Sequence, residues 1–357
     1  MEKNTMAASE AQYIALLKQM ISIQSFSRDE KEVADMLEGW FVSRGICPNR
    51  KGNNLWMWGS ERDAAKPTLL LNSHLDTVKP GNNWTAEPFT PAVDGDKLTG
   101  LGSNDAGASV VSLIETFFRL RSVPQAYNLV LAITAEEEVS GLNGVSSILE
   151  ELGTIDLGIV GEPTGMNMAV AERGLLVLDC YVAGQTGHAA RNEGVNAIYK
   201  ALAAIEWFRN HPFDKATDLL GPVKMSVTMI NAGTQHNVVP DKCHMVVDCR
   251  INECYSNVEV FEKTRDSVDF EVVPRSFRLN SSNIPLSHSV VKRGLTLGLK
   301  PYGSPTSSDM GLMPFTTLKI GPGDSARSHT PDEYILISEI EKGIEIYWQL
   351  LNGLELK

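Results

Sequence analysis

At 357 residues, 43% of them hydrophobic and 21% charged, the chain has the make-up of an ordinary soluble globular protein and the length for about two domains. Its 32 basic and 44 acidic residues leave a formal net charge of -12, which repels phosphate backbones and anionic lipid, so neither nucleic acid nor a membrane surface is an expected partner. The five cysteines (Cys47, Cys180, Cys243, Cys249, Cys254) contain no CxxC pair, the start MEKNTMAASE is polar, and no stretch approaches about 18 apolar residues; reduced thiols and a cytoplasmic location are expected.

Two amphipathic helices open the chain. Tyr13, Leu16, Leu17, Met20 and Ile21 recur at helical spacing, and Val33, Met36, Leu37, Trp40 and Phe41 repeat it behind a capping box predicted from Ser27 to Glu30, with Gly45 as the stop. Short apolar runs follow at 68 to 73, 128 to 134, 156 to 160 and 316 to 321, too continuous for one-sided strands and too short for buried helices. They predict the centre of a largely parallel sheet covered by helices near 106 to 121, 143 to 152 and 333 to 352, and PAVDGDKLTG predicts a hairpin at Asp94 and Gly95. Before the last run the rhythm changes. An alternating strand (LLVLDCYV), a helix at about 193 to 209, strands at 223 to 230 and 243 to 251, a helix at 257 to 268 and a strand at 269 to 273 predict a compact α+β insert over 173 to 283. The expected fold class is α/β, with 1 to 172 and 284 to 357 forming the main domain.

In open parallel sheets, ligands gather where strands give way to loops at their carboxyl ends. His74 and Asp76 follow the first apolar run, Glu136, Glu137 and Glu138 the second, Glu162 the third and His329 the fourth, while Asp105 opens a helix after the Gly-rich GLGSN. Each is commonplace alone: HxD as a local pair, three glutamates as a solvated face, Glu162 as a turn residue, His329 as a helix cap. Together they bring acids and imidazoles to one rim, where so much negative charge is strongly unfavourable without cations. Imidazole and carboxylate without thiolate suit zinc, cobalt or manganese, and five possible ligands exceed one tetrahedral ion, so two metals are expected.

The motifs SHLDTV, GLGSNDA, TAEEEV, GEPT and GPG…SHTPDE resemble, in succession, those of the acetylornithine deacetylase and succinyl-diaminopimelate desuccinylase family of dinuclear zinc hydrolases, which includes aminoacylases and glutamate carboxypeptidases. The resemblance implies a zinc-peptidase-like main domain and an inserted ferredoxin-like α+β domain that serves as lid and makes a homodimer. It implies that Asp105 bridges two divalent ions, that His74 and Glu162 complete one shell and Glu138 and His329 the other, that Glu137 is the general base, and that Asp76 accepts the remaining ring N–H of His74. His188, Asn237 and Arg250 match the family's lid residues, His188 as an oxyanion donor reaching across from the partner subunit and the other two as holders of the substrate carboxylate. Many relatives continue the bridging Asp with Met-Lys-Gly-Gly; here Ala106-Gly107-Ala108 follows, without that positive charge.

The chemistry expected is amide hydrolysis without a covalent intermediate. Water between two cations falls toward a pKa of about 7, and Glu137 takes its proton and passes it to the departing amine. The expected substrate is an N-acyl-L-amino acid, foremost N-acetyl-L-ornithine in arginine biosynthesis, with zinc or cobalt as the metal. Acylcitrulline, succinyl-diaminopimelate and small peptides are the alternatives among enzymes, and a non-catalytic dimeric binding protein is the alternative outside them.

Overall fold

A computed structural model describes residues 2–356, with side chains from residue 12 onward, so the polar start over 1–11 lies outside the described side chains. The chain folds as two units. One comprises Met1–Val170, Asn283–Tyr302 and Ser308–Lys357, and the other Ala171–Ser282 with Gly303–Ser307.

The first unit is built on strands buried on both faces. Thr68–His74 lies between Asn128–Thr134 and Leu157–Val160, parallel to both, and Thr317–Lys319 continues the parallel run beyond Leu157–Val160. Leu69, Leu70 and Leu71 have no exposed surface, and burying each side chain contributes about 1.5–3 kcal/mol. The flanks depart from the expected parallel pattern. Asn54–Trp58 is antiparallel to Asn128–Thr134, Asn49–Lys51 is antiparallel to Asn54–Trp58, and Met168–Glu172 meets Thr317–Lys319 antiparallel through Ala169 and Lys319. A short link between Asn49–Lys51 and Asn54–Trp58 permits only a hairpin, whereas parallel neighbours need a long crossover. The sheet is therefore mixed, with a parallel centre.

Helices cover it. Glu2–Ile21 buries Tyr13, Leu16, Leu17, Met20 and Ile21, and Lys31–Val42 buries Val33, Leu37 and Phe41. The expected Ser27 cap does not form: the N-cap of the second helix is Glu30, without a side-chain cap bond, and the Ser27 hydroxyl donates instead to Asp76 Oδ2 at 2.7 Å. The helix expected over 143 to 152 is reduced to a turn at Val145–Ser147 and one at Leu149–Leu152, ended by Gly153 with φ at 71°. Ile337–Leu351 starts late because Tyr334–Leu336 is drawn into a strand against Lys97–Thr99.

The second unit has one four-stranded antiparallel sheet, in the order Lys224–Ala232, Lys242–Ile251, Gly174–Ala183, Glu271–Pro274, with helices Ala197–Arg209 and Asn257–Ser267. The succession β-α-β-β-α-β with this order is ferredoxin-like. Strict alternation in Gly174–Ala183 sends Leu176, Leu178, Cys180 and Val182 into the core. All five cysteines are free, and burial pushes the Cys180 thiol up to about 12, which leaves it inert.

Candidate metal centre

The carboxyl ends of the parallel strands in the first unit deliver an acidic ring. His74 is the last residue of its strand and almost fully buried. Its Nδ1 lies 3.0 Å from the Asp76 carbonyl oxygen, an acceptor only, so Nδ1 carries a hydrogen and Nε2 faces the ring. Around Nε2 stand Asp105 Oδ1 at 3.3 Å, Glu162 Oε1 at 3.7 Å and Glu137 Oε2 at 4.0 Å. On the other side His329 Nε2 is 3.0 Å from Glu138 Oε2 and 3.7 Å from Asp105 Oδ2. The two oxygens of Asp105 thus face different imidazoles. Ligand atoms of His74, Asp105 and Glu138 fall within 4.8 Å of one another, as do those of His74, Glu137 and Glu162.

The three consecutive glutamates part company at a left-handed residue. Glu136, with φ at 55°, turns its carboxylate to the backbone and side-chain N–H groups of Asn143, while Glu137 and Glu138 face the ring. Asp76 fixes that turn from behind. Its Oδ1 accepts the Glu137 N–H at 3.1 Å, and its Oδ2 accepts the Glu138 N–H at 3.2 Å together with the Ser27 hydroxyl. Its carboxylate stands 3.4 Å from His74 Nδ1, farther than its own carbonyl, so the backbone of Asp76 orients the imidazole and its side chain mainly orients the glutamates.

So many acids around two imidazoles shift the titration of both imidazoles and of several of the acids. Burial opposes the His74 imidazolium, but Glu137, Asp105, Asp76 and Glu162 outweigh it and hold the pKa well above the usual range. The Glu138 carboxylate raises His329 to about 9. Burial raises Glu137 well above the carboxylate range and raises Glu162 to about 8, the latter partly offset by His74 and, less, by the buried Lys319. A ring of oxygens and imidazole nitrogens that retains protons this tightly is short of positive charge, and its donors, without thiolate, fit divalent ions of the zinc, cobalt or manganese kind.

Two residues were not singled out from sequence. Glu333, 2% exposed, accepts the backbone N–H groups of Asn104 and Asp105 with Oε1, both at 2.9 Å, and that of Gly102 with Oε2 at 3.1 Å. Glu30, fully buried, accepts the Glu136 N–H at 3.2 Å. The first was hidden in SHTPDE, where an acid before a helix reads as a dipole partner, and the second in the supposed capping box. The signal for both was an acid beside a motif with no apolar run to solvate.

The second unit holds the other candidates. His188 is exposed and caps the turn Ala189–Arg191 through Nδ1, which accepts the Ala190 N–H at 3.2 Å. Asn237 is its neighbour: His188 pairs with Val238, and the Asn237 carbonyl accepts the Ala189 N–H at 3.1 Å. Arg250, the penultimate residue of Lys242–Ile251, is not brought to them along the chain and grips Asp248 with two bonds of 2.8 and 3.1 Å. Among the described residues, no helix is long and apolar enough to cross a membrane.

Residues 70–353 match the family described as Peptidase family M20/M25/M40. The succinyl-diaminopimelate desuccinylase of Paracidovorax citrulli is 28% identical over 382 aligned residues, covering 96% of this chain and 97% of that protein. Among solved structures, the aminopeptidase PepT of Bacillus cereus superposes with a TM-score of 0.77 at 20% identity, covering 96% of this chain and 98% of that one. The Bacillus subtilis YXEP protein, titled a dinuclear metal binding peptidase from the M20 family, superposes with a TM-score of 0.72 at 16% identity, covering 97% and 98%.

Proposed function

The chain belongs to the peptidase family M20/M25/M40 and is a metal-dependent amide hydrolase, and on that premise we propose that it removes the acyl group from an N-acyl-L-amino acid, foremost N-acetyl-L-ornithine. The observation that carries the reading is Asp105 standing between His74 and His329 with a different oxygen toward each. On this reading His74, Glu162 and Asp105 hold one divalent ion, and Asp105, Glu138 and His329 the other, both ions being zinc or, as the alternative, cobalt. When bound, such a pair supplies a polarised amide carbonyl and an acidified water.

The protein groups do the rest. Glu137, left out of both shells, takes the proton of the attacking water on its carboxylate and returns it to the leaving nitrogen. Burial and the neighbouring acids, which raise its pKa, make it a competent carrier. Asp76 holds the Glu137 and Glu138 N–H groups so that both carboxylates stay aimed.

The second unit, taken with boundaries near 173 and 283, is proposed as lid and dimerisation domain. Its edge strand Lys224–Ala232 exposes Met229 and Ile230, and its helix Ala197–Arg209 exposes Tyr199 and Leu202, an apolar surface suited to a second copy. His188 of such a partner would donate to the developing oxyanion, with Asn237 and Arg250 holding the substrate carboxylate. Arg250 would first have to leave Asp248.

The test is a panel of acetyl- and succinyl-amino acids and small peptides, run on chelated protein and again after reloading with zinc or cobalt. Deacetylation of N-acetyl-L-ornithine that vanishes on chelation and returns on reloading is expected. A clear preference for succinyl-diaminopimelate, acylcitrulline or tripeptides would move the chain elsewhere within the family, and binding without turnover would make it a binding protein.

A further inference from the structure

The loop that carries Asp105 and the loop that carries His329 are stitched to each other by residues outside both proposed metal shells. Glu333 comes four positions after His329 and gathers the N–H groups of Gly102, Asn104 and Asp105 into one buried carboxylate. Its own carbonyl accepts the Gly100 N–H at 2.9 Å. Asn104 returns the grip: its Nδ2 donates to the Asp324 carbonyl at 3.1 Å and to Ser328 Oγ at 3.3 Å, and its Oδ1 accepts the Asp324 N–H at 3.0 Å. Asp105, with φ at -118° and ψ at 99°, and Ala106, with φ at -119° and ψ at 29°, both depart from helical backbone just before the helix Ala108–Arg121. The local chain therefore does not fix where its side chain points; the clasp from the His329 loop does.

We propose that Glu333, with Asn104, is a positioning residue that sets the placement of Asp105 relative to His329, and so governs the ion held by Asp105, Glu138 and His329 more than the ion held by His74 and Glu162. The physical reason is that a single buried carboxylate accepting three N–H groups of one loop holds that loop's backbone in one place. A glutamine in its place cannot satisfy all three, because its NH2 group has no acceptor to offer. Losing a supporting partner of this kind typically lowers metal affinity about 10–100-fold.

The inference rests on the dinuclear reading, and the experiment separates the two. Metal-free full-length protein, wild type and Glu333→Gln, is titrated with Co2+ in competition with a chromophoric chelator, and both stepwise affinities and the visible spectra are recorded. Wild type binding two ions is expected, with one affinity in the variant weaker by about 10–100-fold, the other within about threefold, and altered d–d bands for the weakened ion. Wild type binding fewer than two ions overturns the dinuclear reading. Wild type binding two while Glu333→Gln keeps both affinities and both spectra overturns the positioning role alone, and so does equal weakening of both ions. In an Asp105→Asn background the Glu333→Gln change is expected to add nothing; an additive loss would mean that Glu333 acts elsewhere. Should Glu333→Gln lack a cooperative unfolding transition, Asn104→Ala, which cuts the clasp on its other strand, is read by the same titration with the same expected and overturning results.

Discussion

The two units treat their chemistry-bearing side chains in opposite ways. In the first, His74, Asp105, Glu137, Glu138, Glu162 and His329 meet within hydrogen-bond or ion-pair distance, with Asp76 bracing the backbone of Glu137 and Glu138 and Glu333 that of Asp105. In the second, His188 is exposed and caps its own turn, and Arg250 is neutralised by Asp248 two residues away. The first unit holds its chemistry ready-made within its own fold, and the second offers groups that are useful only once something else engages them.

Three measurements bear on this contrast. The largest effect is expected from Glu137→Gln, which keeps the shape of the ring and both proposed shells: kcat falls by about 10²–10⁴ while metal content by atomic absorption stays at the wild-type value. Loss of metal with loss of turnover would reassign Glu137 as a ligand. Next, His188→Ala is expected to lower kcat by about 10²–10³ with little change in either metal affinity or the unfolding midpoint, since its side chain supports only an exposed turn. An unaffected kcat would strip the second unit of its proposed part in the chemistry.

The smallest effect concerns pH. In metal-free protein Glu162 titrates near 8 and His329 near 9, both above their unfolded values of 4.5 and 6.5, so the folded state holds extra protons and stability falls as pH rises through that range. Asp179 in the second unit has the reverse sign. The Arg275 guanidinium and His244 hold its carboxyl at about 2 against an unfolded 3.8, so its contribution is present above pH 4 and disappears as pH falls toward 2. Unfolding midpoints of metal-free protein are therefore expected to fall between pH 6 and 9, a slope that metal reloading flattens, while Asp179→Asn erodes an acid-side contribution of at most about 1 kcal/mol. A metal-free midpoint that is flat or rises from pH 6 to 9 would mean that the acidic ring does not retain those protons.

Much of this was legible from residue patterns. The runs ending at His74 and Thr134 read directly as buried parallel strands, because the continuous apolar stretches LLL and LVLAI fit a doubly covered sheet, and that put the acids after them at one rim. What escaped were features that depend on a partner far along the chain. Asn54–Trp58 mixes Trp, Met and Asn and declares its direction only through pairing with Asn128–Thr134. Ser27 and Glu30 satisfy the local rule for a helix start so well that their bonds to Asp76 and Glu136 were invisible. Which of three glutamates turns away is decided by one left-handed residue and Asn143, neither of which periodicity registers.

The donors of the ring are contributed one at a time from positions 74, 105, 138, 162 and 329, and no two of them come from the same strand end. If these five hold the ions as proposed, a fragment of the chain ending before residue 329 lacks one donor of the set. Tight uptake of the ions would then report that the chain has been made at least as far as residue 329.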